Sequence, residues 1–392
     1  MSDSIDSLTD LLAQAGSRRF LESVPDEDLG LADHVTFPFL ALVGQQEMKL
    51  ALLLTLINPN VGGVLLIGPR GTGKTTAVRG LVDLLPRVPR SRCHYGCLPE
   101  DIELGGIDAV CPDCAERYGV GEPLTYEDRV RLIELPLNAQ LEDVVGGLDE
   151  RAAVHNRLRL KRGLLARADR NILYVDEVNL LADDIVDAIL DAAAQGNYTV
   201  HRGPLSATYR SRFALIGSMN PEEGQLRPQI LDRFGLRVIV RGLTDREERL
   251  EAYRRSVEFL RNPRKLVNAY AQGTSLAQEE LDESNKSIVD VTLSPDAEAL
   301  GLELIQRMGI ESLRAEITLF EAARAYCIAD GRMEATVQDV QIVASMALRL
   351  RRSSFIKDYL STQSQEEQEL TDLLGELSDF DRGSGEEPSD TV

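Results

Sequence analysis

No segment of this 392-residue chain approaches the ~20 consecutive apolar residues that a bilayer-crossing helix needs. The start, MSDSIDSLTD, lacks the basic opening and apolar run of a secretory signal. The expected location is therefore cytoplasmic, or stromal if a transit peptide has been removed. Basic residues are also scarce: 43 Lys and Arg against 64 Asp and Glu leave a formal charge of −21. That charge repels phosphate backbones and makes nucleic acid a poor partner unless a local basic patch overrides it. Five cysteines are too few for a disulfide scaffold, and four of them cluster. No internal repeat is found.

What is present reads as a globular protein, with 43% hydrophobic and 27% charged residues and enough length for one large or two medium domains. Residues 1–36 form a polar extension with a helix-like patch at Leu8, Leu11 and Leu12, ending at Phe37-Pro38-Phe39. A helix around Met48 to Leu54 stops near Asn58-Pro59. Five apolar runs then alternate with helical stretches: Val64 to Ile67, Arg131 to Leu135, Ile172 to Val175, Phe213 to Ile216 and Leu236 to Val240. This alternation predicts an α/β domain over 37–243, a five-stranded parallel sheet covered on both faces. Beyond Leu243 strand signals stop, giving a helical linker over 244–285 and a small all-helical domain over 286–360. In that domain Ser294 before Pro295 reads as an N-cap, Leu300, Leu304, Ile305 and Met308 share a face, and Gly309 is a stop. Thr336 with Asp339 resembles a capping box ahead of Val340, Val343, Ala344, Ala347 and Leu348. Residues 361–392 predict a mobile acidic tail.

The strongest chemical signal is Gly68-Pro69-Arg70-Gly71-Thr72-Gly73-Lys74-Thr75, a G-x-x-x-x-G-K-[ST] loop placed after an apolar strand and before a helix. In such a loop converging N–H groups and the helix N-terminus hold phosphate, Lys74 reaches the β and γ phosphates, and the Thr75 hydroxyl coordinates Mg²⁺. A hydrolase also needs acids at a strand end facing the loop, and Ile172-Leu173-Tyr174-Val175-Asp176-Glu177 supplies them. Asp176 is expected in the Mg²⁺ shell and Glu177 as the group that polarises the attacking water. Asn220, just past the Phe213 to Ile216 strand, can orient that water or satisfy a turn. Arg233 in Leu231-Asp232-Arg233-Phe234-Gly235 is a candidate arginine finger acting in trans, and Arg314 a candidate to reach the nucleotide from the helical domain. Isolated arginines are ordinarily surface residues, so these two roles lean on resemblance.

Two cysteine pairs, Cys93/Cys97 and Cys111/Cys114, lie in an insert over 91–121 with weak helix and strand signals. Their spacing suits a Cys₄ zinc site that staples a loop with little core of its own. Reduced structural thiols, or a Cys-Pro-Asp-Cys redox pair, are the alternatives.

Longer strings resemble the small ATPase subunit of magnesium chelatase, an AAA+ protein. They are Phe37-Pro38-Phe39, the stretch Val43 to Leu54, Glu134-Leu135-Pro136-Leu137, Gly163 to Ala168, Tyr174 to Leu181, Asn220 to Gly224, Arg227-Pro228-Gln229 and Leu231 to Gly235. The match runs from about Phe37 to Arg352. The resemblance implies a ring, a hexamer, working with a larger subunit that bears an AAA+-like region and a von Willebrand-type domain. A third, porphyrin-binding subunit inserts Mg²⁺ into protoporphyrin IX for chlorophyll or bacteriochlorophyll, and this chain supplies ATP-driven remodelling. It further implies that Asn220 is sensor 1, Arg233 the arginine finger and Arg314 sensor 2. Glu134 to Gly163 would hold an insertion in helix two, and Val200 to Arg212 a hairpin before sensor 1. The chain departs from the family pattern at Val200-His201-Arg202-Gly203-Pro204 and at Ser218-Met219-Asn220. These departures touch partner-choosing surfaces, so a chelatase-like or MoxR-like chaperone ATPase with a metal-binding adaptor stays open as the alternative.

Overall fold

Apolar runs bounded by glycine and polar residues become parallel strands, largely buried except at the edge strand β2: β1 (Val64–Ile67), β2 (Leu132–Glu134), β3 (Ile172–Val175), β4 (Ala214–Met219) and β5 (Leu236–Ile239). The computed structural model describes residues 35–351 apart from 86, 94, 149–159, 204 and 225. The expected patch at Leu8, Leu11 and Leu12 and the acidic tail lie outside the described residues. The five strands form one parallel sheet in the order β5-β1-β4-β3-β2. Alternation sends Val64, Leu66, Ile172, Tyr174 and Ile216 to one face and Leu65, Ile67, Leu173, Val175 and Leu215 to the other. Each fully buried side chain of this kind contributes roughly 1.5–3 kcal/mol.

Register sets up the site. Ile67 pairs with Met219 and Val175 with Gly217, so Gly68, Asp176 and Asn220 all leave the sheet at the same edge. On one face lies α1 (Gln46–Ile57), and on the other α3 (Asp183–Gln195). Between these two in sequence α2 (Lys74–Leu81) follows β1, and after α3 comes α4 (Pro228–Arg233), which precedes β5.

After Leu243 come α5 (Arg246–Arg261), α6 (Pro263–Ser287), α7 (Pro295–Met308), α8 (Arg314–Ala329) and α9 (Val337–Leu348). Leu319 and Ala322 of α8 and Val340 and Val343 of α9 share one apolar cluster with Leu52 of α1 and Leu66 of β1. The guanidinium of Arg237, with no exposed surface, donates to the carbonyls of Leu231 and of Arg349 (2.8 Å), while Arg349 donates back to Arg237 O at 3.0 Å. These bonds fasten the end of α9 to β5. Ser294 Oγ accepts from Ala297 N (3.3 Å), and Gly309 closes α7 at φ +62°.

Some elements carry no clear sequence signal. The helical part holds a two-residue parallel pairing of Thr292–Leu293 with Glu334–Ala335, too short to give an apolar run. Antiparallel ribbons form at Arg87–Ser91 with Thr125–Arg129 and at Gly146–Leu148 with Leu160–Arg162. The expected hairpin before β4 begins earlier than Val200, pairing Asn197–Arg202 with Leu205–Arg210. Ribbons with a polar, half-exposed face show little apolar alternation, which hides them.

Asp339 accepts from Arg332 Nη1 at 2.9 Å and from Thr336 N at 2.7 Å, with 1% of its surface exposed. Burial alone would raise its carboxyl, but the bonds from Arg332 and Thr336 outweigh burial and hold it below the usual range. A depressed folded pKa stabilises the protein above the unfolded value of about 3.9 and loses that contribution as pH falls through the folded one. Asp339→Ala is expected to cost about 2 kcal/mol at pH 7 in urea unfolding, through loss of the cap on Thr336 N and of the charge-assisted bonds from Arg332, partners that are themselves only partly buried. The gap to wild type should narrow only below about pH 4.

Candidate nucleotide site

The chain leaves β1 at Gly68, where any Cβ would stand 2.1 Å from Val240 O. Gly73 then caps α2 at φ +87°, a conformation only glycine adopts without strain. The loop thus turns directly into the N-terminus of α2, whose first amides have no partner within the helix and suit phosphate. Lys74 Nζ donates to Gly68 O (2.6 Å) and Pro69 O (2.8 Å), so its ammonium is tucked under the loop. Burial lowers its pKa, and the carboxylates of Asp176, Glu177 and Glu223 oppose that shift.

Tyr174 and Asp176 are two residues apart, so alternation brings Tyr174 OH to Asp176 Oδ1 (2.8 Å). Asp176 also accepts from Ser218 Oγ, and its Oδ2 lies 3.4 Å from Thr75 Oγ1. A hydroxyl and a carboxylate this close are two hard oxygen donors that fit Mg²⁺, which neutralises phosphate charge when bound. Glu177 sits in left-handed backbone at φ +50°, unusual for a non-glycine residue, with its N–H on Ser218 Oγ (3.2 Å). Its Oε1 pairs with Arg70 Nη2 (3.0 Å), and Arg70 Nε also holds Glu223 (2.7 Å). Glu223 and Glu177 raise the pKa of this already permanent cation further. Asn220 Nδ2 donates to Glu223 Oε1 (2.9 Å) and its Oδ1 accepts from Glu222 N (3.3 Å). Its side chain therefore satisfies the turn and joins the acid cluster at the same time.

A cavity of about 510 Å³ opens beside Gly71, Thr72, Gly73 and Thr76, floored by Leu42, Val43, Met48 and Leu243, a size that suits a nucleoside. Lys49, almost fully buried, donates to Leu42 O (2.5 Å) and supports that floor; burial lowers its pKa to about 8. Arg233 and Arg314 are placed elsewhere. They line one cavity of about 240 Å³ with Gly62, Gly63 and Asp232, and no phosphate-loop residue lines it. Arg233 pairs with Asp191 (2.8 Å) and Asp187 (3.4 Å) of α3. Arg314, the first residue of α8, thus stands beside Arg233 and not beside the phosphate loop of its own chain.

The four clustered cysteines do converge: the Sγ atoms of Cys93, Cys97, Cys111 and Cys114 all lie within 4.8 Å of one another. Tetrahedral thiolates at ~2.3 Å from zinc sit about 3.8 Å apart, so small side-chain adjustments close the site. Backbone amides of Cys97 and Cys111 point at Cys93 Sγ (3.2 Å) and Cys97 Sγ (3.3 Å), as they would at thiolates. Hydrogen bonding from Cys97 holds the Cys93 thiol below the usual range, whereas burial pushes Cys114 up.

The chain is 40% identical over 335 residues to the magnesium-chelatase subunit ChlI homolog of Methanocaldococcus jannaschii, covering 84% of this chain and 90% of that one. The chain belongs to the magnesium-chelatase ChlI family. Its ChlI relatives include that of Nostoc, 40% identical with 82% of this chain and 85% of the relative covered. The family model for magnesium chelatase, subunit ChlI, matches residues 148–230, and an AAA lid domain matches 300–373. A solved structure described as a putative ATPase from Cytophaga hutchinsonii shares the fold at 21% identity and TM-score 0.52, over 79% of this chain and 83% of that one. As a ChlI-family member the chain is an AAA+ ATPase motor subunit of the chelatase type, using a nucleotide and Mg²⁺. No described helix is long and apolar enough to cross a membrane.

Sequence reasoning missed Tyr174, Ser218 and Glu223 as members of this ChlI site. Tyr174 was detectable, since it shares a strand face with Asp176. Ser218 and Glu223 are placed by strand register and by a turn, which no local motif encodes.

Proposed function

We propose that this chain hydrolyses ATP to drive insertion of Mg²⁺ into protoporphyrin IX. The observation that carries this reading is the convergence of Lys74, Thr75, Asp176 and Glu177 on one glycine loop in a ChlI-family chain. Loop amides from Arg70 to Thr75 and the Lys74 ammonium bind the phosphates. Thr75 and Asp176 hold the cation. The γ-phosphate competes for Arg70, which frees Glu177 to polarise the attacking water, and Asn220 orients that water. Arg233 and Arg314 stand away from their own chain's loop, so both are assigned to the phosphate of a neighbouring chain in a homo-oligomeric ring, a hexamer. The ring works on the larger subunit with its von Willebrand-type domain, and through it on the porphyrin-binding subunit. Residues 37–243 serve as the nucleotide-binding part and 286–360 as the lid. The four cysteines are assigned one structural Zn²⁺.

The test is reconstitution of the chain with its cognate large and porphyrin-binding subunits. ATP-dependent appearance of Mg-protoporphyrin fluorescence is expected. Vigorous ATP turnover by the assembled complex with no metallation would overturn this reading and leave a remodelling ATPase.

A further inference from the structure

The cysteine insert is tied to the rest of the chain by a small set of polar contacts, and two of them lead to one place. Cys97 is followed by Leu98, whose N–H donates to Asp101 Oδ2 at 2.8 Å. The other oxygen of Asp101 is ion-paired with Arg210, the last residue of the hairpin Asn197–Arg210. Both partners are mostly buried, with 16% and 25% of their side-chain surface exposed, so this pair is less screened than a surface one. Next to it Glu100 meets Arg170 (3.4 Å), which also donates to Pro89 O (2.9 Å) just ahead of the insert and places its own N–H on Arg212 O. Gly96 faces Arg162, whose guanidinium lies over the Tyr209 ring. Arginines at 162 and 210 thus border the sulfur cluster on the side where the hairpin is rooted. A tetrathiolate zinc centre carries a net charge of about −2, which complements this border.

We propose that zinc at Cys93, Cys97, Cys111 and Cys114 acts as a brace for the root of the hairpin, transmitted through Asp101 to Arg210. The proposal rests on the zinc assignment above. Without metal, Leu98 and Asp101 lose the fixed backbone that aims the carboxylate, and the hairpin loses one of its anchors. Its tip is then free to sample orientations, while the phosphate loop, on the opposite edge of the sheet from this contact, is untouched.

Full-length protein purified without chelator is analysed for metal and by hydrogen exchange, before and after zinc removal, alongside Asp101→Asn. About one zinc per chain is expected, with Co²⁺ exchange giving the absorption of a tetrahedral thiolate site. Zinc removal should speed exchange in 197–212 on the order of tenfold and leave 68–81 unchanged. Asp101→Asn keeps the amide oxygen that caps Leu98, so it should retain zinc yet loosen 197–212 to a similar degree. Protein that carries no metal and has four titratable thiols would refute the zinc assignment and the brace together. Bound zinc whose removal leaves 197–212 equally protected refutes the brace alone. An Asp101→Asn protein with full hairpin protection rules out the route through Arg210.

Discussion

Arg233→Ala is expected to assemble and bind ATP but to hydrolyse it on the order of 10³-fold more slowly, the loss that follows removal of a charge from a phosphoryl-transfer transition state. Its ion pairs with Asp187 and Asp191 are largely exposed, worth under about 1 kcal/mol, so folding should be little affected. Mixed with wild type, the variant should depress activity more steeply than dilution predicts, because each inactive chain also disables its neighbour. Phosphate release measured across mixing ratios decides the matter. A straight-line dependence, with the pure variant at the wild-type rate, would make Arg233 a structural residue. Arg314→Ala, sharing the same cavity, should behave alike.

The second large effect separates binding from chemistry. Lys74→Ala should lose ATP binding, since its ammonium and the loop it tethers at Gly68 and Pro69 both contact phosphate in the ground state. Glu177→Gln should bind ATP yet turn over roughly 10²–10⁴-fold more slowly, because only the polarisation of water is removed. Equilibrium nucleotide binding and single-turnover phosphate release on both variants test this pair. Undiminished turnover by Glu177→Gln would sink the assigned role.

The parts of the site that depend on one segment are legible in the amino-acid sequence alone. Gly68 to Thr75 is a contiguous motif, and Asp176-Glu177 ends a buried run, so each carries its own context. The central strands are visible because both faces of a parallel sheet are buried, which yields short unbroken apolar runs. What needs the fold is every relation across segments. Arg70 reads as a loop residue, yet it clasps Glu177 and Glu223 from elements far apart in sequence. Ser218 stands out only within a departure from a family pattern, although its hydroxyl joins Asp176 to the Glu177 backbone. The cysteine spacing points to one metal-sized cluster, while the contact of that insert with Arg210 depends on how the hairpin returns to the sheet.

The apolar cluster that runs without a break from Leu52 of α1 through Leu319 of α8 to Val343 of α9 has a mechanical consequence. A lid that shares its interior with the sheet cannot swing about a hinge without tearing open that interior. In the proposed ring such a chain would move as a single block, and the work of ATP would go into sliding and tilting between blocks. Arg233 and Arg314 line one cavity of that block, so under the proposed trans roles they would withdraw from or approach a neighbour's phosphates together. In that arrangement the pair would serve as one lever arm that both senses the neighbour and is pushed by it.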